Sequence, residues 1–282
     1  VRRIGIAALA LGACAWWQGS PEGSAGRVSA ANGACGGLFC TAEESVRRAG
    51  SCTPSCACRG YRFAEPAYDE ADLHALRSWR LVDPPTPLHG DPYDLPEPPA
   101  VDGLAVCAAI PVSVAARDRA YRLETFRSED EAHAAGGQVT HAGACGACSS
   151  LQDLAVYIEH RDLTAAGREC GLLGTVADSA QRRCLEGLGL TPACAQIWSF
   201  NVDHTRSACL GVCVATMTSD NNMDNGDLNA CLNCDEERSG PVFQAVAGRT
   251  RRRSGLSSAI ARPCLHADGT PAVYPVEHYY FR

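Results

Sequence analysis

Apolar residues recur along the second half of the chain at helical spacing, and before that with the shorter period of strands. Tyr121-Arg-Leu123-Glu-Thr-Phe126 alternates in part and is rich in strand formers, so it predicts a strand. Ser128-x-x-Glu131 has the form of a capping box and opens a short helix that stops at Gly136-Gly137. Gln138 to His141 reads as a second strand. After Cys148 the period lengthens, and Ser149-x-x-Gln152 caps a segment in which Leu151, Leu154 and Ile158 share one face. Thr191-Pro192 sets a capping hydroxyl before a proline at the first helical turn. From there to about Met217, residues Ile197, Phe200, His204, Ala208, Gly211 and Ala215 fall on one stripe. Asp227 and Pro241 open two further helices, parted by Ser239-Gly240. The pattern predicts an α+β fold: a helix-rich, disulfide-stabilised main domain over residues 104–282 with a few early strands, preceded by a small Cys-rich knot.

The upstream segments are organised differently. Arg2 and Arg3 precede the apolar run Ile4 to Leu11, the layout of an export signal over residues 1–14. Its end, Leu11-Gly12-Ala13-Cys14, resembles a bacterial lipobox. That resemblance implies lipidation of Cys14 and a membrane partner reached through the lipid anchor. Ala13-Cys14-Ala15 also fits an ordinary small-x-small cleavage site, and either route ends outside the cytoplasm, lipid-anchored or secreted. Residues 15–34 are small and polar after a Trp pair and read as a flexible tether. Residues 35–62 form the knot, with Cys35, Cys40, Cys52, Cys56 and Cys58. The string Cys56-Ala-Cys58-Arg-Gly-Tyr61 resembles the close of an epidermal-growth-factor-like module. Residues 83–99 carry Pro84, Pro85, Pro87, Pro92, Pro96, Pro98 and Pro99, which makes an extended connector or a strap across the surface.

Cysteine number sharpens this picture. Removing Cys14 from the 17 cysteines leaves 16, an even set of the kind a disulfide framework needs in an oxidising compartment. The knot holds an odd number, and Cys107 is the nearest outside partner for its fifth cysteine. The net charge of −7, with arginine as the sole cationic side chain besides histidine, argues against nucleic-acid binding. No apolar stretch after the signal approaches the length of a bilayer span.

Candidate chemistry centres on His141-Ala-Gly-Ala-Cys145-Gly-Ala-Cys148-Ser-Ser, directly before a predicted helix whose N-terminus favours a thiolate. As a CxxC pair it resembles the exchange site of thioredoxin-like proteins. Gly143-Ala-Cys145-Gly-Ala-Cys148 also resembles the Cys-Gly-Ser-Cys segment of papain-like proteases, which would make Cys148 the nucleophile with His141 or His204 as base. It departs from that family in lacking the following aromatic residue and in having Ala142 where a glutamine is usual. Pairing Cys145 and Cys148 with Cys231 and Cys234 would make a tetrahedral zinc site. The structural reading, all four in disulfides, leads. Cys209 and Cys213, four apart on one helix, are poorly placed to bridge each other and should reach different segments. His204 on the apolar stripe requires a hydrogen-bond partner if it is a core residue.

The loop from Asp220 to Asp227 resembles a calcium loop through Asp220, Asn222 and Asp224. Its glycine comes one place late, and Cys231 stands where the closing glutamate belongs. An acidic turn and helix cap with no cofactor is the leading reading, and calcium is the alternative. Arg249 to Arg253 follow the acidic run from Asp235 and read as surface charge compensation. These features favour an exported domain with a binding or structural role, and a cysteine-dependent enzyme is the runner-up. The sequence does not name a protein or small-molecule ligand.

Overall fold

The computed structural model describes residues 66–280 except 98, 101–102, 116–117, 217, 224–226, 257, 259, 261 and 264–270, together with three short upstream strands. These are β1 (Leu38–Phe39), β2 (Ser55–Cys58) and β3 (Tyr61–Ala64). The expected signal, Cys14, the tether, Asp224 and Cys264 lie outside the described residues.

β2 and β3 form an antiparallel hairpin, Ser55 opposite Ala64 and Cys58 opposite Tyr61. β1 pairs in parallel with β8 (Arg262–Pro263), so an upstream strand is hydrogen-bonded to the far end of the main domain. The main sheet has the order β4-β6-β5-β7, with β4 (Arg80–Leu81) parallel to β6 and the other pairs antiparallel. The two predicted strands are there, inside β6 (Asp118–Phe126) and as β7 (Gln138–Ala142). Periodicity missed their common partner, β5 (Val106–Ala115). Its first five residues are all buried, so it is apolar without alternation.

Eight helices complete the described fold. α1 (Glu70–Arg77) carries a capping box between Asp69 and Asp72. α2 (Glu129–Ala134) starts where Ser128 accepts a bond from Glu131 N at 3.2 Å. It ends at Gly136, whose φ of 74° only glycine adopts freely. α3 (Leu151–Glu159) is capped one residue later than the pattern suggests, by Ser150 with Asp153. α4 (Leu163–Gly174) and α5 (Asp178–Gly187) lead into the long α6 (Pro192–Ala215). α7 (Ala230–Arg238) is capped by Asn229 rather than opened at Asp227, and α8 (Gly240–Ala247) has Pro241 in its first turn.

The core lies where α3 and the first half of α6 meet the sheet, with Leu151, Leu154, Leu185, Ile197 and Tyr121 almost fully buried. The α6 stripe follows it only part way. Ile197 is buried and Phe200 and His204 are half-buried, but Ala208, Gly211 and Ala215 are exposed. From Cys209 onward, disulfides hold the helix in place of the core.

Ten cysteines close five bridges: Cys107–Cys145, Cys148–Cys194, Cys170–Cys184, Cys209–Cys234 and Cys213–Cys231. Cys107 therefore serves the main domain, not the knot, because β5 and the loop after β7 are sheet neighbours. Cys209 and Cys213 avoid each other as helix geometry requires. Both nevertheless reach α7, whose Cys231 and Cys234 match their spacing on a facing helix. That pairing also consumes the thiolates the zinc arrangement needed.

Candidate functional site

The segment singled out by sequence forms the loop between β7 and α3, and it is fastened from every side. Cys145 ties its start to β5 and Cys148 ties its end to α6, so the two are not bonded to each other. Cys148 is fully buried. The loop backbone runs against the end of α8, with Ala147 N and Cys148 N each donating at 2.9 Å to Val246 O and Ala247 O.

Arg249 follows directly and is also fully buried, which corrects the surface reading of this arginine. Its Nε donates to Cys148 O and one terminal nitrogen to Ser149 O, both at 3.0 Å. The other reaches Ser254 Oγ at 3.0 Å and Thr140 O at 3.3 Å. The guanidinium thus gathers carbonyls from β7 and from the loop, and burial lowers its pKa. A run of arginines gives no sign of which member is buried whole; here it is the one nearest the apolar α8, while Arg251 to Arg253 are half-buried.

His141 lies beneath the loop. Its Nδ1 faces Ala142 O at 2.9 Å, and a carbonyl can only accept, so Nδ1 carries the proton. Nε2 therefore accepts from Ser149 Oγ at 2.8 Å, and that oxygen in turn accepts from Gly146 N at 2.8 Å. Burial, then the positive charge of Arg249, hold His141 well below the usual histidine range. A neutral imidazole against a serine hydroxyl has the geometry of a general base. Both side chains have no exposed surface, so with the loop closed their contact fixes the loop.

Sequence reasoning missed two further members of this buried polar set. Asp153 accepts from Thr191 N at 2.7 Å, Thr191 Oγ1 at 2.9 Å and Ser150 Oγ at 2.5 Å, joining the starts of α3 and α6. Burial raises its pKa against those bonds. His278 Nε2 donates to Ser254 O at 2.6 Å and its Nδ1 meets Tyr280 Oη at 2.5 Å. Burial and Arg249 bring His278 down to about 3.

These histidines set a pH dependence. Both have folded pKa values depressed below 6.5, so at these two rings the unfolded chain binds more protons than the native one below pH 6.5, down to about 3 for His278. Their contribution is complete above pH 6.5 and is lost as the pH falls, by at most about 1.4 kcal/mol per pH unit for each ring. Asp153, Asp203 and Asp235, all raised by burial, oppose this at the acid end. Chemical denaturation between pH 7 and 4 should show falling stability, and His278→Gln should flatten the slope. An identical slope in that variant would remove His278 from the account.

The other predicted site residues lie elsewhere. His204, on α6, stacks on Tyr93 with ring centroids 4.3 Å apart and meets Ser239 Oγ through Nδ1 at 3.0 Å. Its partners thus come from the proline-rich strap and the α7–α8 junction, not from the Cys148 loop. The strap is also held to α6 by Leu88 and Gln196, which exchange two hydrogen bonds.

In the acidic loop, Asn222 is buried and bridges Leu228, while Met223 N donates to Asp227 O at 2.7 Å. Asn229 bonds Asp220 O as well as capping α7. Among the described residues, no group of three or more His, Cys, Asp or Glu side chains could hold a metal. A cavity of about 10 Å³, lined in part by Leu76, Trp79, His278 and Tyr280, has room for a water molecule only. No described helix is long and apolar enough to cross a membrane.

The profile of a family of unknown function (DUF8771) matches residues 178–267, from the start of α5 past β8. No curated protein and no solved structure matches the chain. The matched segment contains both α6–α7 bridges whole. It also depends on residues before it, because Cys184 and Cys194 bond to Cys170 and Cys148.

Proposed function

We propose that this disulfide-rich domain is exported, is held at the cell envelope through an acylated Cys14, and does binding or structural work there. The observation that carries the reading is the state of the two loop cysteines. Cys145 and Cys148 are tied to two different segments, β5 and α6, and Cys148 sits in the core. A redox pair of the thioredoxin kind would join the two to each other, and a papain-like nucleophile would need a free thiol. Five closed bridges also suit an oxidising compartment outside the cytoplasm. The acidic 220–229 loop enters this proposal as a turn and cap for α7, without a cofactor.

Anchoring is tested by the intact mass of the mature protein and by its partition between membrane and soluble fractions. The expected result is an acylated N-terminal Cys14, with Cys14→Ser releasing or misprocessing the protein. A wild-type mature chain that is unacylated and fully soluble would overturn the anchor.

A further inference from the structure

We infer that Arg253 forms an oxyanion-binding site beside the Cys145–Cys148 loop, suited to a carboxylate or phosphate group. The residue is half-buried, and its guanidinium lies against the loop backbone: a Cβ at Gly143, where φ is +92°, would fall 2.8 Å from one terminal nitrogen. The other terminal nitrogen donates to Gln244 Oε1 at 3.3 Å, a long bond to a neutral amide. No carboxylate pairs with this arginine among the described residues. Glu236, which the adjacent Arg252 reaches only at 4.0 Å, is held by Arg262 at 2.6 Å. A guanidinium partly withdrawn from water is costly until an anion meets it.

Like charge sharpens the demand. After burial, it is the neighbouring Arg252 that lowers the pKa of Arg253. Arg249 is a further cation close by, bonded to carbonyls and a hydroxyl rather than to a carboxylate. Arg249 and Arg253 both act on His141, whose pKa falls through burial first and then through them. A chain of net charge −7 thus concentrates uncompensated positive charge around one loop. Gln244 occupies one N–H of Arg253, which leaves a planar fork for the two oxygens of a carboxylate or phosphate. The loop backbone and Gln244 hold the guanidinium in place beforehand, so little side-chain freedom is lost on binding.

Thermal unfolding of the full chain tests this, with inorganic phosphate and acetate as probes against chloride at matched ionic strength. The expected result is a melting temperature that rises with added probe and saturates in the low millimolar range. Saturation at the lower concentration by phosphate marks the ligand as a phosphate ester, by acetate as a carboxylate, and either supports the site. Arg253→Gln should abolish the saturable shift. Arg253→Lys, which keeps the charge but loses the fork, should raise the half-saturating concentration about tenfold. Arg182→Gln, at an exposed position on α5, should respond like wild type. Absence of a saturable shift in the wild-type protein would overturn the inference. So would the wild-type response in both Arg253 variants, the mark of a general salt effect.

Discussion

A methyl group added at Gly146 is expected to destabilise the domain by about 3 kcal/mol or more, at the upper end for overpacking. Its Cβ would strike Val246 O and come within 2.7 Å of Ala247 C and Gly248 N, all of them backbone. Backbone cannot rotate aside as a side chain can, and this stretch is held by the bonds from Ala147 N and Cys148 N. Gly248 returns the constraint. It has φ of +72°, and a Cβ there would lie 2.6 Å from Ala144 O. The two glycines let the Cys145–Cys148 loop cross the end of α8 at backbone contact distance. Denaturant titration of Gly146→Ala is the measurement. Gly187→Ala, with open space around its Cβ, serves as reference and should change stability by less than about 1 kcal/mol. Equal stability for the two variants would mean that the crossing is looser than described.

Removing the Cys148–Cys194 bridge by the paired change Cys148→Ala and Cys194→Ala should cost about 4 kcal/mol on the chain-entropy model. The bridge closes 46 residues of chain and joins the loop to α6 in the core. The 14-residue Cys170–Cys184 bridge should be worth about 3 kcal/mol on the same model. The order of the two, read from denaturation midpoints, is the firmer expectation. A paired Cys148/Cys194 variant as stable as wild type would leave the bridge without its structural role.

What was legible in the sequence followed from local rules. Ser128, Pro192 and Pro241 mark helix starts because capping and the proline ring act within one turn. The strand around Tyr121 shows partial alternation. β5 does not, since its buried start erases the contrast that alternation depends on. Caps slipped where two candidates stood close together. Ser149 is drawn to His141, leaving Ser150 to cap α3, and Asn229 takes the place of Asp227.

Bridge partners were less legible, because connectivity is set by which segments the sheet and helices bring together. Cys107 shows this: in sequence it lies nearest the knot, and in space beside Cys145. The polar centre was the least visible part. Arg249, His278 and Asp153 come from distant positions, and nothing local distinguishes a fully buried arginine from its half-buried neighbours.

The account rests on Cys145 and Cys148 being bridge cysteines of a closed loop, and thiol accessibility in the native protein tests that most directly. Iodoacetamide should be applied near neutral pH without denaturant, followed by non-reducing peptide mapping. The predicted result is no labelling of either cysteine, with Cys145 recovered joined to Cys107 and Cys148 joined to Cys194. Rapid, selective alkylation of Cys148 in the folded protein, or recovery of a Cys145–Cys148 bridge, would contradict it.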